Sequence, residues 1–364
     1  MTRTRPRRRG LGLAAVLALA GGVAAAGLAA AVEPPPVPVS RVSALTAEAD
    51  RRTPDQTFLT FPEWYLVHSP AEYARYLARG EPASVFPLFA HIGQFWQGYA
   101  GVNREAARYP FNGGYHLMVM VIGTSTTVEY ALKGVYEHTI GRLAEATVSG
   151  EAPIPEERLQ ADYAQAYVDF IRLEPWYRFD FVAPLGKLWS ELPLSGANLI
   201  RRWERRFALS TELLVKEGYA RLIKLGSQSV YDAPRPTTSV VLDKAPEADA
   251  ASYPDLRVLP GSGADVVATL PRYEPFTAYS RWLAGQGVDF REIAGNDGEI
   301  LVSVLVPAGW MTPAPGRTLF EQPILTRPGH KRVVLAVRVP QLSALLRSFG
   351  EKRGGVIVEH VYDF

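Results

Sequence analysis

Apolar positions are spread very unevenly along this chain. Leu11 to Val32 is an unbroken run of Leu, Ala, Val and Gly, preceded by Arg3, Arg5, Arg7, Arg8 and Arg9 and closed by Pro34, Pro35 and Pro36. The pattern predicts an N-terminal hydrophobic helix over residues 1–32. About 20 apolar residues are enough to span a bilayer, and a basic flank keeps the N-terminus inside while the rest is exported. Two readings compete. The helix is an uncleaved anchor in the bacterial inner membrane with a periplasmic body, or a signal peptide cut after Ala31, where Ala29 and Ala31 give a small-x-small site. A proline-containing spacer, 33–53, follows.

Residues 54–231 read as a mostly helical, aromatic-rich domain. Pro70 opens a helix to Arg79, with Ala71, Tyr73, Ala74 and Leu77 at apolar spacing. From Pro155 to Leu173 apolar residues recur at three- and four-residue steps. Asn198 caps a long helix to Leu225, whose buried stripe is expected at Leu199, Trp203, Phe207 and Leu214. Between these, Asn112-Gly113-Gly114 reads as a turn, Leu117–Ile122 as an apolar run too short to span a membrane, and a helix starts near Thr126.

Residues 232–263 are proline-rich and aperiodic, which predicts a linker. In 264–364 the period changes to that of strands. Val266–Leu270, Phe290–Ala294, Ile300–Val306, Lys331–Val339 and Val356–Tyr362 alternate with helices at Phe276–Gln286 and Gln341–Phe349. A hairpin through Asn296-Asp297-Gly298 is expected. Strand–helix–strand occurs twice, giving the βαββαβ order of a ferredoxin-like sandwich. The fold class is therefore α+β.

Composition narrows function mainly by exclusion. The chain has 39 Lys+Arg against 37 Asp+Glu, and setting aside the five N-terminal arginines leaves 34 against 37. That balance offers no field for nucleic acid. The absence of cysteine excludes disulfides, thiolate metal sites and cysteine nucleophiles. No dinucleotide, P-loop, zincin or nucleophile-elbow signature occurs, so no cofactor is expected.

Candidate chemistry concentrates in the helical domain. Glu129 is a candidate general base with His116 or His138, against the competing reading of an ion pair with Lys133 four residues on. His68, His91, His116 and His138 lack the helical spacing of metal-binding pairs, so no metal site is expected. Glu63, Trp64, Trp96 and Tyr115, among dense aromatic residues, are candidates for lining an apolar ligand pocket. Arg201 and Arg205 lie in the basic stretch Ile200–Phe207. That stretch suits an anionic lipid surface or, alternatively, a core-packed helix with a solvated charged face.

The strings FPEWYLVHSPAEYARYL (61–77), GTSTTVEYALKGVYEHTIGRL (123–143) and IRRWERRFAL (200–209), with the terminal VEHVYDF (358–364), resemble those of an uncharacterised bacterial family bearing an N-terminal hydrophobic segment. The resemblance spans most of residues 55–364 and implies a membrane-anchored or exported protein, with no activity to carry over. The reading expected from the sequence is a non-catalytic periplasmic protein that binds a small apolar or amphipathic ligand or an envelope partner. The alternative is a hydrolase-like envelope enzyme built on Glu129.

Overall fold

The computed structural model describes residues 45–53, 55–150, 153–227, 236–247, 253–260, 265–351 and 355–363. The expected N-terminal helix and most of the expected spacer lie outside the described residues. The architecture is α+β: a layer of helices against two four-stranded antiparallel sheets.

The helical layer is made of α1 (Gln56–Ala78), α2 (Leu88–Ala106), α3 (Gly113–Tyr136), α4 (Pro155–Ile171), α5 (Val182–Ser190) and α6 (Leu199–Ser227). α1 begins well before Pro70 and carries both Pro62 and Pro70 inside it. Burial of Phe58, Leu59, Phe61, Trp64 and Tyr65 outweighs the hydrogen bonds the two prolines remove. The expected turn at Asn112 is instead the cap of α3, its side chain accepting from the Tyr115 backbone N–H at 3.1 Å. α3 then runs unbroken through both the apolar run and the later helix. It ends in a π-helical turn, Glu137–Gly141, and a last turn, Arg142–Glu145. α2 and α3 approach closely because Gly123 faces Phe95 and Trp96. A Cβ there would sit 2.4 Å from the Phe95 ring.

The first sheet contains β1 (Thr237–Leu242), β2 (Arg257–Val258), β3 (Val266–Pro271) and β4 (Phe290–Ile293) in the order β2-β3-β1-β4. The second contains β5 (Glu299–Pro307), β6 (Arg317–Pro323), β7 (His330–Arg338) and β8 (Ile357–Val361) in the order β6-β7-β5-β8. α7 (Glu274–Gly285) leads into β4, and α8 (Leu342–Glu351) precedes β8. β1 and β2 fall within the expected linker, and β1 is an inner strand with Val240, Val241 and Leu242 fully buried. The expected hairpin through Asn296 does not form: β4 pairs with β1, while β5 pairs with β7 and β8. The βαββαβ order is thus spread over two sheets rather than one.

What repeats is a βββαβ unit. In the first copy Val240 faces Ile293 and the register slips between Val241 and Leu242. In the second Val302 faces Val361 and it slips between Ser303 and Val304. Ser239 opposite Thr269 corresponds to Leu301 opposite Ala336. Both helix-to-strand turns use a glycine at φ +68°, Gly287 and Gly355, a conformation that disfavours any side chain. One hydrophobic core joins α1, α2 and α3 to both sheets, from Phe58 and Phe95 to Leu270, Leu301 and Leu335.

Candidate functional site

α3 and α6 lie side by side and antiparallel. Lys133 bonds Glu212 at 2.9 Å, Glu129 pairs with Lys216 at 3.1 Å, and Glu137 receives both Arg205 terminal nitrogens at 2.9 Å. As numbers rise on one helix they fall on the other. The expected Glu129–Lys133 pair within α3 is replaced by these cross-helix pairs.

The basic residues of α6 point inward. Arg201, Arg202, Arg205 and Arg206 are all buried. Arg201 donates to Glu157 and to the Gly141 carbonyl, both at 2.8 Å, the π-turn presenting that carbonyl. Glu156, fully buried, holds Arg202 and Arg206, each at 3.1 Å. Arg206 also donates to the Leu188 carbonyl, and Arg205 to Glu204. Unpaired, such charges would not tolerate burial; paired bidentate, they do. Nearby, Glu212 sits between two lysines, and desolvation raising its carboxyl is outweighed by Lys133 and Lys216, which hold it well below the usual range. Lys133 lies over the Tyr73 ring at 4.4 Å and Lys216 over Tyr167 at 5.1 Å.

The apolar residues point outward. The stripe expected to be buried is exposed: Leu199 by 48%, Trp203 by 44%, Phe207 by 62% and Leu214 by 59%. On α3 a second stripe, Leu117, Val121, Val128, Leu132 and Val135, is exposed in the same way. At about 100° per residue, the ion-pairing positions lie well over a quarter turn from the exposed stripe on α3 and roughly opposite it on α6. The two stripes come together where exposed Phe207 packs against Tyr136 of α3, ring centroids 6.0 Å apart. Trp189, ring-to-ring with Trp203 at 6.0 Å, extends the edge. Large apolar side chains exposed along two neighbouring helices mark an interaction surface rather than an ordinary monomer face, whose largest patch is roughly 300–600 Å².

A second cluster lies at the seam between α1, α3 and the sheets. Burial pushes the Glu63 carboxyl up to about 7, against a hydrogen bond from Tyr115 and the charge of Arg272; Asp363 adds to the rise. Arg272 Nε donates to Asp363 at 2.6 Å and stacks over Tyr273 at 4.9 Å. Tyr273 turns β3 into α7 at φ 63°, ψ −138°, backbone space nearly reserved for glycine. Trp64 is buried beside it with its ring 3.5 Å from that of His360.

Of the expected site residues, Glu63 and Tyr115 meet, with Trp64 adjacent. Trp96 is elsewhere, its indole N–H donating to Thr127 at 3.0 Å and its ring against Phe95. Glu129, His116 and His138 do not converge: at 1.5 Å per residue they are about 20 Å and about 13 Å apart along α3. His116 instead stacks on Phe111 and bonds the Tyr99 hydroxyl at 2.9 Å. His138 approaches the Phe86 carbonyl at 3.4 Å. Arg201 and Arg205 are sealed in the ion network and present no basic face. Sequence reasoning missed Glu156, Arg272 and Asp363, whose ion-pair partners are distant in the chain, and Tyr273, whose backbone conformation no periodicity signals.

Among the described residues no group of His, Asp or Glu is arranged to hold a metal ion, and no helix is long and apolar enough to cross a membrane. Two small hollows, between α4, α5 and α6 and beside Gly80, enclose about 0 and about 10 Å³. Both are smaller than a usual ligand pocket, and neither is lined by Trp64, Trp96 or Tyr115. No protein-family model, curated protein or solved structure matches the chain.

Proposed function

We propose that this is a membrane-held, non-catalytic docking protein of the bacterial envelope. The N-terminal hydrophobic segment keeps it at the inner membrane with a periplasmic body, and the α3/α6 face contacts an apolar component of the envelope. One observation carries the reading: the pair buries its charges and exposes its apolar residues, the reverse of a solvated helix pair. The aromatic residues support docking rather than a pocket, because Trp64 packs on His360 at the seam and Trp96 fills the contact between α2 and α3.

The chain has no cysteine, so single-cysteine variants report one position each. In isolated envelope membranes, full-chain Leu132→Cys and Phe207→Cys should react with a polar maleimide several-fold more slowly than Arg291→Cys, which sits exposed on the first sheet. Detergent should abolish the difference. Equal rates in intact membranes would refute docking through this face.

A further inference from the structure

Resting on that docking reading, we infer that the occupant of the α3/α6 face is the lipid bilayer itself, with both helices lying flat in its interfacial region. The face offers a partner few groups to hydrogen-bond. Along α3, its last turn and the described side chains of α6, Glu129, Arg142 and Arg221 are the exposed charged groups, joined by the hydroxyls of Ser125, Thr211 and Tyr219; Glu129 and Arg221 are ion-paired, with Lys216 and Glu217 respectively. The Thr139 hydroxyl is turned back onto the Val135 carbonyl at 2.6 Å. A protein interface carries about one hydrogen bond per 100–200 Å²; acyl chains require none.

The underside fits the same environment. Every arginine beneath the face meets a carboxylate, and the pairs are closed before any docking occurs. The helices can therefore enter a low-dielectric layer without stranding a charge. An α3 of 24 residues, about 36 Å long, with one apolar face and one charged face, lies in the interface rather than crossing it.

Val32 ends the apolar run and Leu45 begins the described chain, so the connecting stretch reaches at most about 45 Å when fully extended. The described chain enters the body at the first sheet, where Thr46 donates to Glu292 at 3.2 Å, and reaches the start of α3 by Asp55, to which Asn112 donates at 3.2 Å. The exposed stripe opens immediately after, at Leu117.

The test uses full-chain protein carrying a bimane fluorophore at Leu132→Cys or Phe207→Cys, reconstituted into phosphatidylcholine–phosphatidylglycerol vesicles with no other protein. Brominated acyl chains should quench both labels and leave a label at Arg291→Cys unquenched. Two outcomes overturn the lipid assignment while leaving the docking reading intact. In the first, the labels are unquenched in pure lipid yet protected from maleimide in native membranes, which identifies a protein partner. In the second, spin labels at Leu132→Cys show a short intermolecular distance, which identifies a second copy. Labels unquenched in vesicles and freely reactive in native membranes would bring down both.

Discussion

Replacing Glu63 by Gln separates burial from charge at the seam. In the folded protein burial raises this carboxyl from 4.5 to about 7, despite the Tyr115 hydroxyl and Arg272 beside it. A group whose folded pKa lies above its unfolded value contributes stability that is fully present below the unfolded pKa. That contribution is lost as pH rises through the folded pKa. The wild type should therefore weaken between about pH 4.5 and 7 and stay weaker above. At roughly 1.4 kcal/mol per unit, the loss is at most about 3.5 kcal/mol, an upper bound because Glu63 keeps partial exposure. Gln has the shape of the neutral acid and cannot ionise. Urea unfolding at pH 5 and pH 8 should show the variant near wild type at the lower pH. At the higher pH it should be more stable by up to about 3.5 kcal/mol. Equal differences at both values, or a variant weaker at pH 8, would refute the reasoning. Either result would mean that Arg272 holds Glu63 ionised at neutrality.

Two further expectations concern packing. Glu156→Ala strands Arg202 and Arg206 in a fully buried site and should cost about 3–5 kcal/mol in denaturant unfolding; a loss under 1 kcal/mol would show the arginines finding other partners. Gly123→Ala and Gly218→Ala should move stability in opposite directions. At Gly123 a Cβ meets Phe95 at 2.4 Å, costing about 1–3 kcal/mol. At exposed Gly218 it meets nothing within 4 Å and should stabilise α6 by roughly 0.5–1 kcal/mol. Thermal melts of the two variants check the signs.

The elements legible in the sequence were those with local causes. α4 starts at its proline and α6 beside Asn198, and both keep a helical period throughout. α1 was hidden because Pro62 and Pro70 look like breaks until the burial that outweighs them is known. β1 sat among prolines with a partner, β3, more than twenty residues away, and the division into two sheets depends wholly on such non-local pairing. The orientation of α6 was the instructive failure. Periodicity shows that Leu199, Trp203, Phe207 and Leu214 share a face but not which way it points. That depends on Glu137, Glu156 and Glu157, carried by other helices. At the seam, Glu63, Trp64 and Tyr115 were identifiable as unusual residues. Arg272 and Asp363, which complete the cluster, come from the opposite end of the chain.

The duplicated βββαβ unit allows one half to serve as a blank for the other. By register, Asp265 and Arg291 of the first copy correspond to Arg332 and Glu359 of the second. Each is an acid–base couple, with polarity reversed. The first is exposed and loose at 3.9 Å; the second is buried at 2.5 Å beneath His68 of α1. Glu292, bonded by Thr46, likewise corresponds to His360, stacked under Trp64. Subtracting one copy from the other therefore traces the footprint of α1 and α2 on a scaffold that has two equivalent seats. The α1 helix is fitted to one seat, while the matching positions of the other sheet meet the chain around Thr46 and Arg52 instead.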